Sequence, residues 1–109
     1  MSADPAPPAH LAEETAAWWS DVVAEYELEP HHVRLLTLAA EAWDRGAGAR
    51  ELIEVDGAVV ADRFGQLKTH PAVAIERDAR IAFARLVREL CLDESAPGEV
   101  RPPRAGGRA

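Results

Sequence analysis

His10, His31, His32 and His70 are the first residues in this 109-residue chain that could do chemistry, because an imidazole can hold a metal or move a proton near neutral pH. His31 and His32 are adjacent, so on a helix they diverge by about 100° and cannot share one ion. His70 has no acidic or histidine partner at helical spacing. Cys91, the only cysteine, stands between Leu90 and Leu92 near the end of an apolar helical pattern. No base motif accompanies it, which fits a packed thiol better than a nucleophile. The carboxylates are spread over helical outer faces, and none forms the apolar-shielded pair that acid–base catalysis uses. "GAGAREL" has glycine spacing but lacks the preceding strand, the lysine and the hydroxyl residue of a phosphate loop. No metal, no cofactor and no enzymatic activity is expected.

Binding is the chemistry that remains. Arg77, Arg80, Arg85 and Arg88 fall within an arc of about 140° on one helix, at 100° per residue. With Arg63 and Lys68 just before them in sequence, they form a candidate DNA-binding set that would track phosphates. The competing reading pairs these arginines with Glu76, Asp78 and Glu89 at salt-bridge spacing on the same helix. Arg101, Arg104 and Arg108 sit among Pro and Gly. They read either as an arm that docks a partner or DNA, or as a solubilising end; taken as sites, they form a partner-binding tail.

The elements that would position these residues are mainly helical. Leu11, Thr15, Trp18, Trp19, Val22, Val23 and Tyr26 follow a 3.6-residue period, predicting a first helix from His10 or Leu11 to Tyr26. Pro30 suits a helical first turn, so a second helix is expected from there to Arg45, with Gly46 as its stop. Leu52, Ile53 and Val55 fit a short third helix that Gly57 ends. "VVADRFGQLKTHP" then reads as two short strands about a turn on Gly65, within residues 58–69. Pro71 after His70 opens a last helix to Leu92, whose buried face is expected to carry Ala72, Ile75, Ala79, Phe83, Leu86 and Leu90. The organisation is a flexible leader over 1–9, one helical domain over 10–92 and a flexible Pro/Gly/Arg tail over 93–109.

About 80 core-forming residues without a disulfide make a marginal monomer, so a homo-oligomer is expected. Adjacent Trp18 and Trp19 cannot point at the same spot; either both are core or one faces a neighbouring chain. Trp18, Trp19, Trp43, Val59, Val60 and Leu67 are the candidate interface, since a lone two-stranded hairpin must lean on something. No run of about 18 apolar residues and no signal-peptide pattern is present, giving an intracellular reading without a membrane partner. Net charge is −7, but it is unevenly divided. Met1 to Gly57 holds 12 acidic and 3 basic residues, a balance of −9; Ala58 to Ala109 holds 7 acidic and 9 basic, a balance of +2. Such halves can stack head to tail, or offer one restricted face to a polyanion.

The ordered set "PPAHLAEETAAWWSDVVAEYEL", "EPHHVRLLTLAAEAWDR", "ARELIEVDGAVVADRFGQLKTHP" and "DARIAFARLVRELCLD" resembles the small subunit of a bacteriophage terminase, of the short helical type with a hairpin before its last helix. The resemblance rests on the order of features over about Pro7 to Asp93, including the turn glycine, the "KTHP" junction and the leucine-rich "LCL" tip. It implies a ring-forming subunit of the packaging machine in the host cytoplasm, which recognises phage DNA. It also implies a partnership with a large subunit that carries the ATPase and nuclease, which this chain would recruit and regulate. The leader is short and not basic, and the stretch after the last helix, "DESAPGEVRPPR", follows the family pattern loosely. The alternatives are a dimeric helical DNA-binding regulator, with a sequence-specific half-site, and an acidic helical protein–protein adaptor.

Overall fold

In a computed structural model, which describes residues 5–90, the chain is mainly α-helical with one small antiparallel hairpin. The order is α1 (Glu13–Glu25), α2 (Pro30–Asp56), β1 (Val59–Ala61), β2 (Leu67–Thr69) and α3 (Pro71–Leu90). Mainly helical with a hairpin before the last helix is the class the sequence predicts.

Helix α1 begins later than its apolar period suggests. Asp44 of α2 accepts the Ala12 backbone N–H at 2.8 Å and the Thr15 hydroxyl at 2.6 Å, and so caps the helix from outside. Helix α2 opens on Pro30 with a reciprocal cap: the Glu29 side chain accepts an N–H from the first turn, and His32 Nδ1 accepts the Glu29 N–H at 3.1 Å.

The expected break at Gly46 is absent. Helix α2 runs unbroken for 27 residues, so the short third helix is its second half. Gly46 is buried because α3 passes close by: a Cβ placed on it would lie 3.3 Å from the Ala79 Cβ. Ala39, Ala42, Gly46 and Ala49 repeat at spacings of three and four along α2, and all are buried. Ala72 and Ala79 face them from α3. Small side chains let two helix backbones approach, so here glycine marks a contact rather than an end. The pairs Trp43–Phe83, Gly46–Ala79 and Arg50–Glu76 descend one helix as they climb the other, which makes α2 and α3 antiparallel.

The large core residues gather at one end. Trp19, Val22, Leu36, Ala40 and Leu90 form the buried cluster with Leu11. Trp19 is 2% exposed, and its indole N–H donates to the Thr37 hydroxyl at 3.1 Å. α1 thus covers only the first half of α2 and the last turns of α3. Beyond it, the rest of α2 and α3 and the hairpin form a thin arm, and the molecule measures 60 × 36 × 18 Å. Ile75 is 44% exposed, contrary to the buried face assigned it from sequence.

Gly57 ends α2 with φ 87°, and Gly65 closes the hairpin with φ 83°, both values that side chains with a Cβ rarely adopt. Asp62 organises the turn by accepting the Phe64 and Gln66 N–H groups on Oδ1. His70 ties the hairpin to both helices. Its backbone N–H donates to the Ala58 carbonyl, its Nδ1 accepts the Ala72 N–H at 2.9 Å, and its Nε2 lies 2.9 Å from the Asp56 carboxylate. The tautomer protonated on Nε2 satisfies both ring contacts.

Two glycine substitutions should separate contact from mere helix. Around Gly48 a Cβ would meet nothing within 4 Å, so Gly48→Ala should stabilise the chain by about 0.5–1 kcal/mol through helix propensity. Gly46→Leu should instead destabilise by at least about 1–3 kcal/mol, through overpacking against Ala79. Urea midpoints at fixed protein concentration read both.

Candidate nucleic-acid interface

The four α3 arginines are exposed as their spacing predicts, but acids divide them. Glu76 accepts from Arg80 one turn on and from Arg50 of α2 at 3.4 Å. Arg77 reaches its neighbour Asp78 at 3.2 Å, with both side chains well exposed. Such a surface pair holds little energy and yields readily to a phosphate. Arg85 has no ion pair among the described residues. Arg77 to Arg88 spans 11 residues, about 16 Å along the axis. Arg85 is therefore the least compensated arginine of the stripe among the described residues.

The hydrogen bond from Arg80 holds the Glu76 carboxyl below its ordinary value; partial burial opposes this, and the charges of Arg80 and Arg50 reinforce it. The chemistry is therefore structural: Glu76 stays ionised and ties α2 to α3 through two guanidinium groups.

Arg63 and Lys68 lie on the hairpin. The Arg63 guanidinium sits over the Phe64 ring, 5.2 Å from its centroid, and Lys68 is exposed opposite Val60. The register pairs Val59 with Thr69 and Ala61 with Leu67, so these four share one face while Val60 and Lys68 share the other. Val59 and Leu67 are exposed, and Val60 is half-buried.

The tryptophans separate. Trp19 belongs to the chain's own core and leaves the candidate interface set. Trp18 is half-buried against Phe83, whereas Trp43 is 51% exposed. Residues that sequence reasoning passed over complete the apolar surface: Leu52, Val55 at 82% exposure and Phe64 at 78%. Phe64 carried a signal, since a phenylalanine at a turn has no core to enter; Leu52 and Val55 were obscured by their fit to a helical period. Arg101, Arg104, Arg108 and Cys91 lie outside the described residues.

The rings of His31 and His32 meet, with centroids 4.1 Å apart, rather than diverging as their helical positions predict, and His10 and His70 lie elsewhere. His10 lies 2.8 Å from Glu41, His70 meets Asp56, and no group of three or more His, Cys, Asp or Glu side chains is placed to hold a metal among the described residues. No described helix is long and apolar enough to cross a membrane.

A family model described as phage terminase, small subunit, matches residues 16–106, which take in most of α1 and all of α2, the hairpin and α3. The chain belongs to the phage terminase small-subunit family. No curated protein and no solved structure matches it.

The Glu76 bridge gives a pH-dependent test. A carboxyl held below its ordinary value stabilises the fold above the unfolded-state pKa, and this contribution is lost as pH falls through the lowered folded value. Glu76→Gln should lower the urea midpoint at neutral pH, and the two proteins should converge as the pH falls below the ordinary carboxylate range.

Proposed function

We propose that the chain is the homo-oligomeric, ring-forming, DNA-recognising subunit of a phage packaging terminase, acting in the host cytoplasm. In this reading it recruits and stimulates a large ATPase and nuclease subunit. Family membership supports the packaging role. Self-assembly is carried by one observation: the arm beyond α1 leaves Leu52, Val55, Val59, Phe64 and Leu67 in water. A cluster of this kind on a small protein is characteristic of a surface that another chain covers. A ring closes through heterologous contacts, one patch meeting a different patch on the next copy. The charge division between the two halves of the sequence suits that head-to-tail arrangement.

DNA contact falls to Arg63, Lys68, Arg77, Arg80, Arg85 and Arg88. Of these, Arg63, Lys68 and Arg85 have no acidic partner among the described residues, and so need break no ion pair to meet a phosphate. Trp18, Trp43 and the hairpin residues Val59, Val60 and Leu67 remain the interface set.

Native mass spectrometry at micromolar concentration tests the assembly. A closed species of many copies is expected, and a monomer or dimer would overturn the ring. Val59→Asp combined with Leu67→Asp should abolish that species while leaving helical circular dichroism intact. For DNA, Lys68→Ala with Arg85→Ala should weaken binding and reduce the slope of log K against log salt by about 2, roughly one for each phosphate that is no longer neutralised. An unchanged slope would make the stripe structural.

A further inference from the structure

A second site lies away from the arm's apolar face. Glu14, Thr15, Trp18, Trp43 and Phe83 line a cavity of about 270 Å³ where all three helices meet. Phe83 stands between the indoles, with centroids 5.8 Å from Trp18 at 49° and 5.0 Å from Trp43 at 59°. Glu14 has no ion pair or hydrogen bond among the described residues, whereas the Thr15 hydroxyl is committed to Asp44. Aromatic faces carry negative potential, and a carboxylate beside them adds a full charge. The lining is thus complementary to an organic cation, and a planar guanidinium can stack on a ring while donating to Glu14.

We propose that this cavity takes an arginine side chain from the chain's own C-terminal segment: Arg101, Arg104 or Arg108. No cation of α2 or α3 lines the cavity, and Arg50 and Arg80, which line the adjoining cleft beside Trp43 and Phe83, are already held by Glu76. Leu90, the last described residue of α3, lies seven residues and about 10 Å beyond Phe83. Eleven residues separate Leu90 from Arg101, a reach of up to about 36 Å. All three arginines can therefore return to the cavity. A single cation–aromatic contact is weak between separate molecules, but a short tether supplies a millimolar effective concentration. The contact would bring the last basic residues of the chain to the acidic first helix, and it would compete with any neighbouring copy for Trp18 and Trp43.

The test uses the full chain labelled with 5-fluorotryptophan, whose three fluorine resonances are assigned with Trp18→Phe and Trp43→Phe variants. Changing Arg101, Arg104 and Arg108 together to Gln should shift the Trp18 and Trp43 resonances. The signal of Trp19, buried and bonded to Thr37, should stay in place. Glu14→Gln should move the same two signals, and combining it with the triple change should add less than the sum of the separate shifts. Unmoved Trp18 and Trp43 resonances in the triple variant would overturn the proposal. The labelled triple variant refolded with excess unlabelled wild-type chain should keep its shifted signals. Their return to the wild-type positions would place the arginine on another copy and overturn the assignment to the chain's own segment.

Discussion

The close passage of α2 and α3 sets the terms for the whole molecule. Gly46 and Ala79 meet without room for a larger side chain, and Ala39, Ala42, Ala49 and Ala72 extend the same narrow seam. A seam of small residues brings backbones together but buries little apolar area per turn, and buried area is the main source of stability. Bulk is therefore concentrated where α1 adds a third helix, around Trp19, Val22, Leu36 and Leu90. The arm has no such third layer. It is held by the seam and by Glu76, which two guanidinium groups fix between the helices.

Sequence pattern made a large part of this legible, and the reason differs from element to element. Pro30, Gly57, Gly65 and Pro71 act through their own backbone geometry, so their meaning is local and could be read directly. Gly46 could not be read that way. Whether a glycine stops a helix or admits a neighbour depends on what stands opposite, and Ala79 is far away in sequence. The same holds for the tryptophans. Their period placed both on a broad apolar arc, but only the position of Thr37 and Phe83 makes Trp19 core and Trp18 a half-exposed wall.

The candidate sites divide along the same line. The arginine stripe follows from spacing on one helix, and its exposure was foreseeable. Which arginine is occupied was only half foreseeable: Glu76 and Arg80 are one turn apart, but Arg50 arrives from another helix. The aromatic cavity draws Glu14, Trp43 and Phe83 from three helices, so no local pattern announces it. Apolar residues on a helical period are assigned to a core by default, and Leu52, Val55 and Ile75 show where that default fails. A period states that residues share a face; it does not state that anything covers the face.

The hairpin shows how a segment too small to be stable alone can still present a defined surface. Its strands are three residues each, and an isolated pair of that size would not persist in water. Here both ends are anchored. Gly57 turns the chain out of α2, His70 caps α3 through Nδ1, and the same ring reaches Asp56 at the end of α2 through Nε2. Asp62 fixes the tip from within. The face bearing Val59 and Leu67 is therefore ordered before any partner arrives. A surface already ordered loses less conformational entropy on association, so a patch of modest size can hold a neighbouring chain.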